Sequence, residues 1–556
     1  MKAHKTGLDT FDHVVVLMLE NRSFDNLLGN LYKEGDPAIK GKKFYGLDGK
    51  DINMPVPNYA SDYHDHKFVK PHRAINFHQP YPDPGEVYNH VNTQLYNHID
   101  HKNFDKPACA MVSNFNIPKP QPKTPEMQGF IKDYINTMKA IKCEKKACKD
   151  CKPGQETFQC KACIAYNDPK YKEYNRIMQV YYPDQVSVLS SLAKEFAVFD
   201  HWFCSVPSQT WPNRAFWHAA ASGGKLVNPT DECTKWEDFK AFEHWAEHVW
   251  TQDNIFKRMH KKSVTHRVYT QELISLTSLV NGLFEDEEAV VDYELVQFKK
   301  DLNTNNLAHY SFLEPKFLGK HNDMHPSSAL PGLVDSPEAG TVLLGEALIW
   351  QVYNDIFTSP YKDKTLFIIT TDEHGGCFDH VAPPPNLGGK VWPPHTPPIV
   401  KPEEGFKFDR LGIRVPMVMV SAYIQKNTIM NDHFDHSSFI KTISQKYDLG
   451  HLTDRDLHAK SFESVFSGPE RKVFPNIMAP LLPPEDDKKY HLHPINDLQS
   501  TIVKGAHFLA KYVQEKLRND VEIPSHAFVK TNGDALAYLK KIHPLTKFPK
   551  NNDAKN

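Results

Sequence analysis

Two pairs of oxygen-bearing side chains, Glu20-Asn21 and Asp372-Glu373, each come directly after a short apolar run. Adjacent carboxylates repel each other, and a cation bound between them removes this cost. Carboxylate and amide oxygens are the donors that hard divalent cations prefer. The two pairs therefore form a candidate metal site. Each pair alone also fits an ordinary polar turn after a strand, and Asn21 or Ser23 would equally well cap a following helix.

A third candidate lies in the Pro-bounded turn CSVPSQTWPNRAFWH, residues 204–218. A hydroxyl held on a metal ion can lose its proton near neutral pH and attack phosphorus, which makes Thr210 a candidate nucleophile. Asn213 and Arg214 would then offer hydrogen-bond donors and positive charge to the other phosphate oxygens. Taken alone, this stretch is typical of a loop with an ordinary threonine.

Several histidines are candidates for moving protons. His325, in HNDMHP at residues 321–326, could protonate a departing alcohol. His374 and His380 lie close to the second carboxylate pair in the sequence. His436, in FDHSSF, is a candidate for the same role as His325, although it could simply cap the helix that follows. In a chain with 30 histidines, each one is weak evidence by itself.

The elements that must position these residues are apolar strands alternating with amphipathic helices. Continuous apolar runs predict strands at residues 13–19, 365–370 and 415–420, with weaker candidates at 196–200 and 309–313. Apolar spacing of three and four residues predicts helices at 345–357, 437–446, 496–518 and 533–541. This alternation predicts an α/β fold with a mostly parallel sheet, in which ligands bind beyond the carboxyl ends of the strands. Both polar pairs would then meet at one sheet edge, rimmed by the Pro- and Gly-rich loop at 383–404.

Composition limits the classes of function. The 66 basic and 68 acidic residues give a net charge of −2, so no global field favours nucleic acid or an anionic membrane. Apolar and charged fractions of 40% and 24% are typical of a globular protein. For a chain of 556 residues we expect a catalytic domain at 1–467 and a helical C-terminal extension at 468–556.

The apolar stretch near the N-terminus, Val14 to Leu19, is too short for the core of a signal peptide. It is also far below the roughly 20 residues that span a bilayer. We therefore expect no Sec-type signal and no transmembrane segment. The expected location is cytoplasmic, or outside the cell by a non-Sec route, as for a secreted effector.

Five of the nine cysteines crowd into residues 143–163. Two CxxC pairs in this stretch, separated by eight residues, suit tetrahedral coordination of a structural zinc ion. The predicted zinc ligands are Cys148, Cys151, Cys160 and Cys163. Disulfides in an oxidising compartment are the alternative. We expect a Cys-rich insertion without a catalytic role.

Taken together and in this order, the motifs resemble those of the bacterial phosphoesterase family that contains Pseudomonas-type phospholipases C, AcpA-like acid phosphatases and plant non-specific phospholipases C. The matching stretches are FDHVVVLMLENRSFDNLLG, SVPSQTWPNR, NDMHP, TTDEHGGCFDHVAPP, FDRLGIRVPMVMVSAYI and DHSSF. The resemblance implies an alkaline-phosphatase-like, three-layer α/β/α fold with a mostly parallel central sheet.

The resemblance also implies roles for individual residues. The metal ligands of the family match Glu20, Asn21, Thr210, Asp372 and Glu373. Thr210 also matches the family's hydroxyl nucleophile. His325 and His380 match histidines placed around the phosphate as acid or oxyanion donors, and His436 is a further match.

One position departs from the family pattern. Many relatives carry a phosphate-facing histidine after the turn at residues 83–85, where this chain has Glu86, with His90 one helical turn later. Either His90 replaces that histidine, or Glu86 changes the headgroup chemistry, since a carboxylate near a phosphate is repulsive unless it is protonated or paired with a cation such as choline. The expected substrate-binding residues are Glu86, His90, His374 and His436.

We therefore expect a metal-dependent phospholipase C that hydrolyses phosphatidylcholine-like lipids to diacylglycerol and a phosphorylated headgroup through Thr210. The divalent metal is left open among zinc, calcium and manganese. An acid phosphatase acting on monoesters is the alternative, and a non-catalytic metal-binding interaction module is a second one. The expected partners are a phospholipid or other phosphoester and, transiently, a membrane surface, and not nucleic acid.

Overall fold

The computed structural model describes residues 7–111, 115–140, 168–230, 240–284, 289–291, 294–326, 341–384, 391–396, 398–482, 490–519 and 521–548. The cysteines predicted to bind zinc lie outside these residues, and so do residues 385–390 of the Pro-rich loop.

An eight-stranded sheet forms the centre of the protein, in the order β13-β6-β12-β11-β1-β10-β8-β9. Its strands are β1 His13–Leu19, β6 Ala197–Phe199, β8 His266–Thr270, β9 Ala289–Val291, β10 Tyr310–Glu314, β11 Thr365–Thr371, β12 Met417–Val420 and β13 Thr428–Met430. Neighbouring strands are parallel except at β12, which is antiparallel to both β11 and β6. Every residue of β1, β10, β11 and β12 is buried, so both faces of the sheet are covered. The predicted α/β fold with a mostly parallel sheet is confirmed.

Three two-stranded sheets flank the central one. They pair β2 Met54–Pro55 with β3 Phe68–Val69, β4 His72–Arg73 with β5 Gln179–Val180, and β7 Trp202–Phe203 with β14 Phe434–Asp435. The α-helices of the described residues are α1 Phe24–Leu28, α2 Tyr88–Tyr96, α3 Phe130–Ala140, α4 Tyr171–Tyr174, α5 Ser187–Glu195, α6 Thr210–Ala219, α7 Lys240–Trp245, α8 Ile255–Lys261, α9 Leu276–Asn281, α10 Val296–Asn303, α11 Val342–Phe357, α12 His436–Tyr447, α13 Asp454–His458, α14 Asp497–Lys516 and α15 Asn532–Ile542. A π-helical turn, Ala246–Trp250, continues α7.

The C-terminal helices share a hydrophobic core with the segment around Thr210. Trp211 and Phe317 pack in one cluster with Ile502 and Leu509 of α14 and with residues of α15. A Cβ atom at Gly505 would lie 3.2 Å from the Phe242 ring of α7, a tighter contact than most Cβ atoms make, so glycine eases the approach of α14 to this cluster. The domain boundary at 467/468 stays a prediction, although α14 packs directly against the start of α6.

Shortening Ile502 tests whether this shared core stabilises the whole chain. We expect Ile502→Ala to lower the free energy of unfolding by about 2–4 kcal/mol, because the cavity lies in a packed cluster. Urea unfolding followed by circular dichroism measures the change. Glu515→Ala, on the exposed face of the same helix, is the control and should stay within about 0.5 kcal/mol of the parent. Equal effects of the two substitutions would contradict the packing argument.

Within the described part of the chain, no helix has both the length and the apolar character needed to cross a bilayer.

Candidate active site

The two predicted carboxylate pairs lie side by side because their strands pair in register. β1 and β11 are parallel neighbours in which Leu19 pairs with Thr371, so Glu20 and Asp372 follow at the same sheet edge. The backbone N–H of Asn21 donates to Asp372 Oδ1 at 3.2 Å. The N–H of Asp372 donates to the Leu19 carbonyl at 3.3 Å. The structure thus brings the two pairs together.

Tight turns hold the loops against this edge. Asn21 adopts a left-handed conformation with φ 53°, which asparagine tolerates better than most residues. Gly375 and Gly376 also have positive φ values, 62° and 66°. A Cβ atom would lie 2.3 Å from the Asn21 carbonyl oxygen at Gly375, and 2.5 Å from the Gly85 carbonyl oxygen at Gly376. The two glycines therefore allow the loop after Glu373 to pack against both Asn21 and the loop that carries Glu86.

Thr210 is the first residue of α6, where the unpaired N–H groups and the helix dipole favour negative charge. Its hydroxyl donates to Glu20 Oε2 at 3.2 Å. Thr210, Glu20 and Asp372 are all fully shielded from solvent. Electrostatic interactions in such a dry site are stronger than in water. The position suits a hydroxyl that becomes an oxyanion.

Arg214 and Asn213, one helical turn further along α6, have different surroundings. Arg214 Nε donates to Glu20 Oε1 at 3.0 Å and lies 4.0 Å from Asp372 Oδ2, while its Nη1 is buried without a partner. This free N–H group can donate a hydrogen bond to a phosphate oxygen. The Asn213 amide instead accepts the Val206 N–H at 2.9 Å and donates to the Ser208 carbonyl at 2.9 Å. Asn213 therefore fixes the loop before Thr210, and its predicted contact with phosphate stays a prediction.

Four buried carboxylates, Glu20, Glu86, Asp372 and Glu373, belong to the candidate site. Burial raises the pKa of Glu20, while the pKa of Glu373 is raised by burial and then by the charge of Asp372. Burial and the charge of Glu373 likewise raise the pKa of Glu86. The common cause is negative charge held away from water, which a bound cation would relieve.

The oxygen atoms at this edge fit a divalent cation. Three of them, Asn21 Oδ1, Asp372 Oδ2 and Glu373 Oε1, are buried without any hydrogen-bond partner. Buried polar atoms normally find a partner, and hard divalent ions take several such oxygens. The chemistry of these oxygens suits a divalent cation, and the assignment of Glu20, Asn21, Thr210, Asp372 and Glu373 as its ligands stays a prediction.

Glu86 and His325 both contact the Asn21 side chain. The Asn21 amide nitrogen donates to Glu86 Oε2 and lies 3.0 Å from His325 Nε2. His325 Nδ1 must carry a hydrogen, because it lies 2.8 Å from the Pro326 carbonyl, which only accepts. Burial lowers the pKa of His325, so its neutral form is favoured, with Nε2 as acceptor. Both groups orient Asn21 so that its amide oxygen remains available.

His436 contacts the backbone of the second carboxylate pair. Its Nε2 donates to the backbone carbonyl of Asp372 at 2.6 Å, and its Nδ1 accepts from Trp202 Nε1 at 3.2 Å. Burial lowers the pKa of His436, in keeping with this neutral form. The ring is thus a positioning group for the Asp372 backbone, and its predicted contact with substrate stays a prediction.

Removing this support should weaken catalysis without abolishing it. We expect His436→Ala to lower kcat/KM by about 10–100-fold, the usual cost of losing a group that orients a metal ligand. Steady-state kinetics at several divalent-metal concentrations measures the effect. Trp202→Phe, which removes the donor to Nδ1 and part of a buried ring but keeps the imidazole, should lower kcat/KM less. An unchanged kcat/KM in His436→Ala would contradict the supporting role.

The other predicted histidines have partners of their own. His374 Nε2 lies 2.8 Å from Gln94 Oε1, whereas its Nδ1 makes no hydrogen bond although Glu373 Oε2 lies 3.1 Å away. Burial lowers the pKa of His374 to about 3. His380 Nδ1 donates to Asp25 Oδ2 at 2.5 Å. His90 packs under Gly85, beside Glu86, with its Nδ1 2.7 Å from Asp133 Oδ1. Their predicted contacts with substrate stay predictions.

A second acidic group near the site is already neutralised by arginine. Asp25, Asp379 and His380 bring three ligand atoms within 4.8 Å of one another. Arg414, however, donates to Asp25 Oδ1 and to Asp379 Oδ1, each at 2.9 Å. The Asp25 N–H donates to Asp379 Oδ2 at 3.1 Å. This group is therefore a saturated structural network.

Sequence reasoning missed Gln209 and Asp323. Gln209 Nε2 lies 3.5 Å from Glu86 Oε1, while its Oε1 accepts the Asn228 N–H at 3.1 Å. The Asp323 carbonyl accepts the Glu20 N–H at 2.7 Å, and Asp323 Oδ1 accepts the His325 N–H at 2.9 Å. Each residue lies within two positions of a predicted site residue, Thr210 or His325, and this proximity in sequence could have identified it as a candidate.

A parallel α/β sheet with a hydroxyl and carboxylates gathered at its carboxyl edge is an arrangement found in hydrolytic enzymes. The sequence model of the Phosphoesterase family matches residues 11–450, and the chain belongs to this family. It is therefore a phosphoric ester hydrolase.

Two curated relatives illustrate the similarity. The chain is 29% identical to Non-specific phospholipase C6 of Arabidopsis thaliana over 93% of its own length and 85% of that protein. It is 28% identical to Phospholipase C B of Mycobacterium tuberculosis over 52% of its length and 57% of that protein. Among solved structures, a Vibrio parahaemolyticus protein in the alkaline phosphatase superfamily matches with a TM-score of 0.29 and 14% identity, covering 50% of this chain and 65% of that one.

Proposed function

We propose that the protein is a phospholipase C that uses Thr210 as its nucleophile. The observation that carries this proposal is the placement of the Thr210 hydroxyl at a helix N-terminus, 3.2 Å from Glu20 and beside buried carboxylates with free oxygens. The two relatives described above, which are named as phospholipases C, support the reaction class.

A divalent cation held by Glu20, Asn21, Asp372, Glu373 and the Thr210 hydroxyl would lower the pKa of that hydroxyl and offset the negative charge of the phosphate. The donor set suits zinc, calcium or manganese. Glu20 accepts the hydrogen bond from Thr210 and so provides an acceptor for its proton. Arg214, with its free Nη1, faces developing charge on the phosphate.

The reaction then takes two steps. Thr210 Oγ forms a bond to phosphorus while the bond from phosphorus to the glycerol oxygen breaks. The Thr210 proton passes to Glu20, and diacylglycerol leaves with that proton. Water next attacks the phosphothreonine, which releases the phosphorylated headgroup and restores the Thr210 hydroxyl. Glu20, which faces the Thr210 hydroxyl, is the proposed proton carrier in both steps, while neutral His325 orients Asn21 and its predicted role as an acid stays a prediction.

A phospholipid panel tests the proposal. We expect diacylglycerol and phosphocholine from phosphatidylcholine, loss of turnover with a chelator, and recovery when zinc, calcium or manganese is added back. We also expect p-nitrophenyl phosphorylcholine to be hydrolysed at least about tenfold faster than p-nitrophenyl phosphate. The reverse preference would indicate an acid phosphatase, and free choline as the product would contradict cleavage on the glycerol side.

A further inference from the structure

The segment 244–248 carries two histidines and a glutamate on one exposed turn. His244, Glu247 and His248 each offer a ligand atom, and the three atoms lie within 4.8 Å of one another. The two imidazole rings stand 5.1 Å apart between centroids, with planes inclined at 71°. His244 and Glu247 are exposed and His248 is half-buried, so a dissolved ion can reach all three.

The backbone here adopts an uncommon conformation. α7 ends at Trp245, and the π-helical turn Ala246–Trp250 follows directly, so His248 stands about one wide turn after His244. π-Turns weaken a helix and are found frequently at functional sites. Since both histidines and Glu247 fall at this junction, the unusual turn and the ligand group coincide.

The opposite face of this turn packs against the rest of the protein. Trp245 and Val249 are buried in the cluster shared with α14, and the indole N–H groups of Trp245 and Trp250 donate to the Val280 and Leu279 carbonyls at 2.9 and 2.8 Å. A site on an anchored element keeps its ligands in place, which lowers the cost of ordering them when an ion binds.

We propose that His244, Glu247 and His248 form a surface site for a borderline transition-metal dication such as Zn²⁺ or Ni²⁺. Imidazole nitrogens favour these ions over Ca²⁺, which prefers oxygen ligands. The ammonium of Lys225 lies 3.2 Å from His244 Nδ1 and opposes a cation, but Glu403 Oε1 balances its charge at 3.0 Å. The proposal does not depend on the catalytic activity of the protein.

Calorimetric titration of the untagged full chain with Ni²⁺, in excess Ca²⁺ to occupy the oxygen-rich site, tests the proposal. We expect the parent to bind one more equivalent of Ni²⁺ than His244→Ala/His248→Ala. His248→Ala alone should weaken this binding by at least about tenfold, and Glu247→Gln should weaken it less. Lys225→Met should tighten it, because the opposing charge is removed.

His260→Ala, an exposed histidine on α8, is the matched control and should leave the titration unchanged. Thermal unfolding gives a second measurement, since bound Ni²⁺ should raise the Tm of the parent and not that of the double variant. Near-ultraviolet circular dichroism verifies that each variant is folded. Equal Ni²⁺ stoichiometry and affinity in the parent and the double variant, or an equal loss in His260→Ala, would overturn the proposal.

Discussion

Thr210→Ala is expected to lower kcat/KM for every phosphoester substrate by at least about 10⁴-fold. Loss of a covalent nucleophile removes the whole two-step route, and such losses are among the largest known for single residues. The substitution removes one hydroxyl and one hydrogen bond to Glu20, so the protein should remain folded. Initial rates with p-nitrophenyl phosphorylcholine measure the effect.

Two further variants distinguish loss of the nucleophile from a structural effect of the Thr210→Ala substitution. Ser208→Ala removes another buried hydroxyl from the same loop and should change the rate only severalfold. Thr210→Ser keeps a hydroxyl at the same position and should retain measurable turnover, with a phosphoserine trapped on rapid acid quenching. A Thr210→Ala enzyme as active as the parent would falsify the covalent mechanism.

Asp372→Asn/Glu373→Gln is expected to abolish tight divalent-cation binding and to lower kcat/KM by about 10³-fold or more, because two charged ligands are removed together. The same change should stabilise the metal-free protein, since it relieves repulsion between neighbouring buried carboxylates. Added Ca²⁺, which the surface imidazoles do not favour, should raise the Tm of the parent and leave that of the variant unchanged.

The pH dependence of the metal-free parent follows from the raised pKa of Glu373. A carboxyl whose pKa is higher in the folded state binds more protons there, so its contribution to stability is present below the unfolded value of 4.5 and is lost as pH rises through the folded value. We therefore expect metal-free stability to fall as pH rises above 4.5, and to fall less steeply in the double variant. Urea unfolding at a series of pH values measures both slopes.

Glu522→Gln, an exposed carboxylate remote in sequence from the site, is the charge control for both measurements. It should bind metal like the parent and show the parent's pH slope. If instead the double variant bound cation as tightly as the parent, the ligand assignment would be wrong.

Sequence periodicity located the central elements well. β1 was predicted to the residue and β11 within one, since continuous apolar runs need burial on both faces. β8, β9 and β13 were missed, because short or mixed strands near the sheet edges depend on their neighbours for pairing. Helices α11 and α12 were placed within a few residues at their starts, where local caps determine the boundary.

The two apolar runs specify which residues end the central strands, and so which carboxylates can share one sheet edge. Three other features become visible only in the folded protein. They are the register of β1 against β11, the contact of Glu86 with Asn21 and the packing of α14 against Trp211. The hydrogen-bond partners of His436 and His380 also depend on the folded structure, because each partner is distant from its histidine in the sequence. Periodicity depends on neighbours a few residues apart, whereas hydrogen bonds between separate loops depend on how the whole sheet and its helices pack.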